Sequence, residues 1–161
     1  MNGVRIAVLL AATITAGWMA GLFYAYSVSV MPALAGAGDA VFVETMQRIN
    51  TAILNGRFAI GFGGAMLFSA AATVLYAISG PASVRVPVAI GTALYAAQLL
   101  LTFSLHIPLN NGLDAAGAPG RTADPAAARR IFESRWVRWN HLRTLFCTGS
   151  FGSLCWALLQ A

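Results

Sequence analysis

Charged residues divide this chain into four long uncharged intervals, 6–38, 58–84, 86–113 and 144–161. A helix of roughly 20 apolar residues crosses a hydrocarbon core of about 30 Å. Each interval therefore predicts one membrane span, placed near 6–30, 58–79, 86–107 and 142–159. The last is short by itself, but Asp124 followed by Pro125 is an N-cap and N1 pair, which predicts one helix from Pro125 to Leu159. At 1.5 Å per residue such a helix is about 52 Å long and stands on the order of 20 Å clear of the hydrocarbon. The pattern as a whole predicts an all-α, integral membrane four-helix bundle, a single four-span domain over residues 1–161. Arg5 before an apolar run and Ala33-Leu34-Ala35 after it resemble a signal peptide. The run exceeds the roughly 7–15 residues of such an h-region, so a retained first span is expected.

The first connection predicts a helix of its own. Gly38 or Asp39 can cap it, Phe42, Met46, Ile49 and Ile53 make an apolar stripe, and Asn55-Gly56 stops it. Glu44, Gln47 and Arg48 lie off the stripe and Asn50 at its border. Two readings follow: an amphipathic helix resting on the membrane surface, or a lid whose Gln47 and Asn50 turn toward a pocket. The third span ends in HIPLNN, residues 106–111. Pro108 cannot donate a helix hydrogen bond, so the helix is expected to bend or end there.

Composition agrees with the hydropathy pattern, with 9% charged and 58% apolar residues, far from an ordinary soluble domain. The net charge of +5 is carried by arginine alone and is unevenly placed. Arg5 and Arg85 lie on one side of the predicted topology, and Arg48, Arg57, Arg121, Arg129, Arg130, Arg135, Arg138 and Arg143 on the other. The positive-inside rule then puts both termini outside and the connections 31–57 and 108–141, with the start of the fourth helix, in the cytoplasm of a plasma or inner membrane. The charge is a topology signal, supplemented by anionic lipid; no basic and aromatic module for nucleic acid is present. Cys147 and Cys155 lie eight residues apart on one predicted helix, too far to bridge each other, and no Cys, His and carboxylate run has zinc or iron–sulfur spacing. Small residues such as Ala16-Gly17, Ala20-Gly21 and Gly61, Gly63, Gly64 allow close helix approach. They serve internal packing or a homo-oligomer contact equally well.

The candidate chemistry gathers at the mouth of the last span, SRWVRWNHLRT over residues 134–144. Ionisable groups at a bilayer edge are costly unless they anchor, pair or act. On a helix, Phe132, Trp136, Asn140, Arg143 and Cys147 share one stripe, with His141 about 100° round from Asn140. Both this stretch and HIPLNN belong to the same membrane face. The expected site therefore joins His106, Asn110, Asn140, His141 and Arg143, flanked by Trp136 and Trp139, open toward lipid or toward the helix of the first connection.

Four segments, GLFYAYSVSVMPAL, FVETMQRIN, HIPLNN and RWVRWNHLRT, resemble the anthrone oxygenase family of membrane proteins, also catalogued as DUF1772. The chain departs from the family pattern at His106, where members more often carry Asn, and at Asn55-Gly56, where Asn-Pro is commoner. The resemblance implies oxidation of an anthrone to an anthraquinone with O₂ and without metal or flavin. An anthrone methylene is acidic because its anion is aromatic, so the protein needs a base, an oxyanion partner and a dry flat pocket. His141 or His106 is the candidate base, and Arg143 with Asn140 or Asn110 the oxyanion partner. Trp136, Trp139, Tyr24 and Phe23 are candidate walls, with Asn111, Gln47 and Asn50 as further polar contacts to substrate. Three classes stay open: a cofactor-independent oxygenase of a lipophilic aromatic molecule, a non-catalytic module binding lipid or a partner protein, and a haem or metal protein using His106 and His141. No carboxylate lies within a span, which disfavours a channel or transporter.

Overall fold

The computed structural model describes residues 2–161. Among these the chain is helical throughout, without a strand. Its elements are α1 (Asn2–Ala25), α2 (Met31–Ala35), α3 (Asp39–Ala52), α4 (Gly56–Ser79), α5 (Ala82–Leu101), α6 (Ile107–Asp114) and α7 (Pro125–Leu159). A π-turn, Tyr26–Val30, joins α1 to α2, and a second, Thr102–His106, joins α5 to α6. Four helices are long and apolar enough to cross a membrane, Gly3–Ala35, Gly56–Ser79, Ala82–Asp114 and Pro125–Leu159. They form a four-helix bundle in which α1 packs on α4 and α7, and α5 on α4 and α7. Large apolar side chains such as Leu67, Ile78, Leu100 and Trp156 face outward, as lipid-facing positions do.

The helix starts obey the local signals. Asp124 caps α7 by accepting from the Ala127 amide at 2.9 Å, and α7 then runs unbroken for 35 residues. Asn55 stops α3 and caps α4, accepting from the Phe58 amide at 3.1 Å. Close helix approach uses the small residues. The Ser150 hydroxyl donates to the Gly91 carbonyl at 2.7 Å. A methyl added at Gly91 would come within 3.0 Å of Leu154, so α5 and α7 meet there backbone to backbone.

Two expectations are settled. The third span does not end at Pro108 but runs on to Asp114, and its helix is distorted into a π-turn just before the proline. A proline ring clashes with the carbonyl four residues back, and a wider turn relieves the clash. Each π-turn stands directly before a proline in this way, with Met31 N–H donating to the Tyr26 carbonyl ahead of Pro32 and Ile107 N–H to Thr102 ahead of Pro108. The second concerns the connection helix. It does not present its apolar stripe to a membrane surface; α3 docks on α6 and α7. Phe42 and Met46 are fully buried with Met31, Leu113, Phe132 and Trp136 in a second core, where Phe42 meets the Phe132 ring edge-on at 6.2 Å. The membrane-distal half of α7 is therefore packed, not free-standing.

Docking of α3 is fastened by polar contacts. Gln47 Nε2 donates to the carbonyls of Leu113 at 2.9 Å and Gly117 at 2.8 Å. Arg129 of α7 donates to the Ala35 and Ala37 carbonyls and to Asp39 Oδ1, while its guanidinium lies 4.6 Å from the Phe42 ring centre. The carbonyls at the end of α2 thereby gain a cation, the favourable charge at a helix C-terminus.

Candidate functional site

Beneath α3 lies a cavity of ≈ 260 Å³ to which each of the four spans contributes. Met46, Ile49 and Asn50 of α3, with Ile53 just past its end, form its roof. Phe23 of α1 and Tyr26 of the first π-turn stand opposite Phe58 and Phe62 of α4. The second π-turn supplies Thr102, Phe103 and His106, α6 supplies Asn110, and α7 supplies Trp136 and Arg143. On the outer surface the cavity is rimmed by Leu54, 79% exposed, and Phe103, 60% exposed. These side chains sit just before the start of α4 and in the second π-turn, so the rim opens on the outer side of the bundle.

The π-turns set which residues face inward. At 3.6 residues per turn a step of four overshoots a full turn by about 40°. Successive steps of four, Gln98 to Thr102 to His106 to Asn110, would therefore spiral off the face. The wider turn takes up the overshoot, and Gln98, Thr102 and His106 are all buried with Asn110 on the cavity wall. π-turns recur at functional sites for such reasons.

Arg143 is 6% exposed and is held by Asn140. The Asn140 amide donates to the Phe23 carbonyl at 3.1 Å and to Ser27 Oγ at 2.9 Å. Its Oδ1 is left to accept from Arg143 Nη2 at 2.8 Å. Asn140 thus has its bonds filled and acts as a strut from α7 to the first π-turn. The guanidinium lies 3.8 Å from the Phe23 ring centre and 5.5 Å from that of Trp136. Its Nε is buried without a partner, and among the described residues no carboxylate is paired with it.

His106 is wholly buried. Nδ1 makes a long 3.4 Å contact to the Leu101 carbonyl. A carbonyl only accepts, so the tautomer that turns this contact into a hydrogen bond carries its proton on Nδ1 and has Nε2 as the basic nitrogen. Nε2 has no partner. The ring stands edge-on to Trp136 at 5.5 Å, and Trp136 is fixed by its indole N–H donating to Asn110 Oδ1 at 3.0 Å. Tyr26 leans on the same indole at 5.6 Å. Gln98, one turn away, accepts from Thr102 at 3.2 Å and leaves its own Nε2 unmatched.

Of the residues singled out from the sequence, His106, Arg143, Trp136, Asn110, Phe23 and Asn50 line this cavity, and Asn140 supports it. Others do not come together with them. His141 is exposed, in a groove with Ser27, Met31, Glu133 and Arg138. Trp139 lies in a separate groove with Ser104, Pro108 and Arg135, and the Arg138 guanidinium is 5.2 Å from its ring centre. Both follow from the helical wheel, since positions 139 and 141 flank position 140 on opposite sides of the buried stripe. Tyr24 is 58% exposed and Asn111 is exposed, while Gln47 is spent on the carbonyls that anchor α3. His106 and His141 thus line different sites, the cavity and the groove beside Ser27. No cluster of three or more metal-ligating side chains occurs among the described residues. Tyr26, Thr102, Phe58, Phe62 and Phe103 were not singled out. Tyr26 was within reach, because it follows Phe23 by three and so shares its face, whereas Tyr24 does not.

The fold and cavity define an all-helical integral membrane protein with an aromatic, partly enclosed internal site carrying one guanidinium and one imidazole. The chain belongs to the anthrone oxygenase family, whose model, described as anthrone oxygenase, matches residues 51–153. No curated protein and no solved structure matches the chain. Phe23, Tyr26 and, in the second half of α3, Met46, Ile49 and Asn50 lie outside the matched segment, yet they complete the cavity.

Proposed function

We propose that this protein is a membrane-embedded, cofactor-independent oxygenase of a lipophilic aromatic ketone of the anthrone type. The observation that supports this reading is the pairing, on one small aromatic cavity, of an imidazole with an open basic nitrogen and a guanidinium with no counter-ion. His106 Nε2 takes a proton from the activated methylene. The electron pair left behind delocalises onto the carbonyl oxygen, which Arg143 holds as an oxyanion. The carbanion passes one electron to O₂ and recombines with the resulting superoxide, and the peroxide takes the proton back from His106. Loss of water, using the remaining hydrogen of that carbon, leaves a second carbonyl. In sum, a methylene and O₂ become a carbonyl and water. Trp136, Tyr26, Phe58 and Phe62 exclude water from the intermediates. Substrate enters laterally from the bilayer past Leu54 and Phe103.

The arginine asymmetry orients the protein, with both termini outside and the α3 end, including the cavity, at the cytoplasmic face. Cysteines introduced at the exposed positions Ala40 and Ala118 are then labelled by impermeant reagent only after cells are opened. Labelling of both in intact cells reverses the orientation.

Oxygen uptake by the purified protein with an anthrone tests the reaction. The wild type consumes O₂ and releases the quinone, while Arg143→Lys keeps its fold and loses most of the rate, because an ammonium does not reproduce the planar guanidinium fork. Equal rates in both, or no uptake in either, favour a module that binds lipid or a partner protein without catalysis.

A further inference from the structure

We infer that the cavity binds its ligand as an anion already in the ground state, and that the ligand class is a planar aromatic acid, a phenol or carboxylic acid bound as its conjugate base. This inference rests on reading the cavity as the ligand site, but not on oxygen chemistry.

The argument starts from charge. A buried cation without an internal counter-ion is one of the least favourable things a fold can contain. Half-buried Arg129 pairs with Asp39 and Glu133, and half-buried Arg5, at the far end of the bundle, reaches the Ser79 carbonyl and hydroxyl. Arg143, more deeply buried, pairs with neither acid nor carbonyl. Of its five N–H donors one reaches Asn140 Oδ1 and Nε reaches nothing. No Asp or Glu lines the cavity. The nearest acid linked to the wall is Asp114, which is exposed and accepts from Asn50 at 3.2 Å. Phe23 and Trp136 place π-faces toward the guanidinium, but these soften a cation's burial without neutralising it. The missing charge is therefore the ligand's.

The walls decide what kind of anion. An inorganic anion needs several converging donors, and here Arg143 is the only charged one among aromatic rings. An acyl chain gains nothing specific from ring faces, whereas Phe58, Phe62, Phe103 and Trp136 all line this cavity of ≈ 260 Å³. A flat acid uses both the charge and the rings, with its oxygen on Arg143 and its ring between Phe58, Phe62 and Trp136. The Nδ1-protonated tautomer of His106, the one that bonds the Leu101 carbonyl, fits this arrangement. Its Nε2, a lone pair facing no donor, accepts from a C–H or O–H elsewhere on the ligand and does not compete for the anionic oxygen.

The test is anaerobic binding in nanodiscs with ligands that cannot be oxidised, corrected for partition into the lipid. The 2-naphthoate anion is expected to bind at least tenfold more tightly than neutral 2-naphthamide of the same shape. Arg143→Gln should erase that difference, naphthoate losing at least tenfold in affinity relative to the amide, while thermal unfolding in detergent reports that the fold is intact. Should Arg143→Gln fail to fold, Arg143→Lys serves, retaining a preference for the anion at reduced strength. Equal binding of naphthoate and naphthamide to the wild type overturns the inference. So does laurate binding as tightly as naphthoate, which would make the site a fatty-acid carboxylate site. Anion preference without O₂ uptake on any anthrone upholds the inference and sinks the oxygenase reading; uptake without anion preference does the reverse.

Discussion

Two polar layers cross this bundle, and they differ in how their hydrogen bonds end. In the middle layer Thr73 and Thr92 meet at 2.8 Å, Thr92 reaches the Ser69 carbonyl at 3.1 Å, Ser150 the Gly91 carbonyl and Tyr95 the Phe62 carbonyl at 2.8 Å. Each donor there closes on a neighbouring helix. In the layer beneath α3, Asn140, Ser27 and Thr144 close in the same manner, but His106 Nε2 and Arg143 Nε do not. Hydroxyls find spare carbonyl lone pairs easily on helices. An imidazole and a guanidinium offer more than the backbone can absorb. Polar content inside a membrane bundle is thus compatible with simple adhesion, whereas unmet polar content beside a cavity marks the layer that meets a ligand.

The sharpest way to break this comparison is to remove the base. His106→Gln keeps the size and a contact to Leu101 but not the basicity, and turnover is expected to fall by about 10²–10⁴-fold, the usual worth of general-base catalysis; an unchanged kcat for anthrone would return His106 to packing. Next is the strut. Asn140→Leu leaves Arg143 unanchored and the Phe23 carbonyl and Ser27 unbonded, so uptake should drop about tenfold or more with a stability loss of about 1–3 kcal/mol, read from thermal unfolding in detergent. Retained activity with lowered stability would make Asn140 purely structural.

The middle layer should respond in stability alone. Ser150→Ala removes one interhelical bond, expected to cost about 0.6 kcal/mol with unchanged uptake; a larger effect on kcat than on unfolding would join the two layers into one machine. The smallest effect belongs to His141→Gln. Exposed and outside the cavity, this side chain should change stability by no more than about 0.5 kcal/mol and leave both uptake and naphthoate binding as they are. Any large loss of turnover would restore His141 as the base and require the groove with Ser27 and Met31 to be the site.

Much of the arrangement was legible along the chain. The stripe Phe132, Trp136, Asn140, Arg143 and Cys147 is buried as its spacing requires, because position on a helix face depends only on 3.6-residue geometry. The helix of the first connection was legible too, but not what it covers. An amphipathic face pairs equally well with a membrane surface or with another helix, and only the apolar partners Phe132 and Leu113, distant in sequence, decide between them. The two histidines show the limit more plainly. Both stand in polar, arginine-rich or proline-marked contexts. What separates them is that His106 ends a π-turn that holds it on the inner face, while His141 lies one residue off the buried stripe.

The sequence by itself determined the number of spans, the caps that start α4 and α7, the arginine asymmetry and the family, since each depends on local hydropathy, local hydrogen bonding or residue order. Only the tertiary structure decided that α3 is the roof of a cavity, that Tyr26 and not Tyr24 faces it, and that Arg143 has no acid beside it. Those facts depend on rotation about the helix axes and on contacts between segments nearly a hundred residues apart, and a change of one residue per turn at Tyr26–Val30 or Thr102–His106 is enough to redirect them.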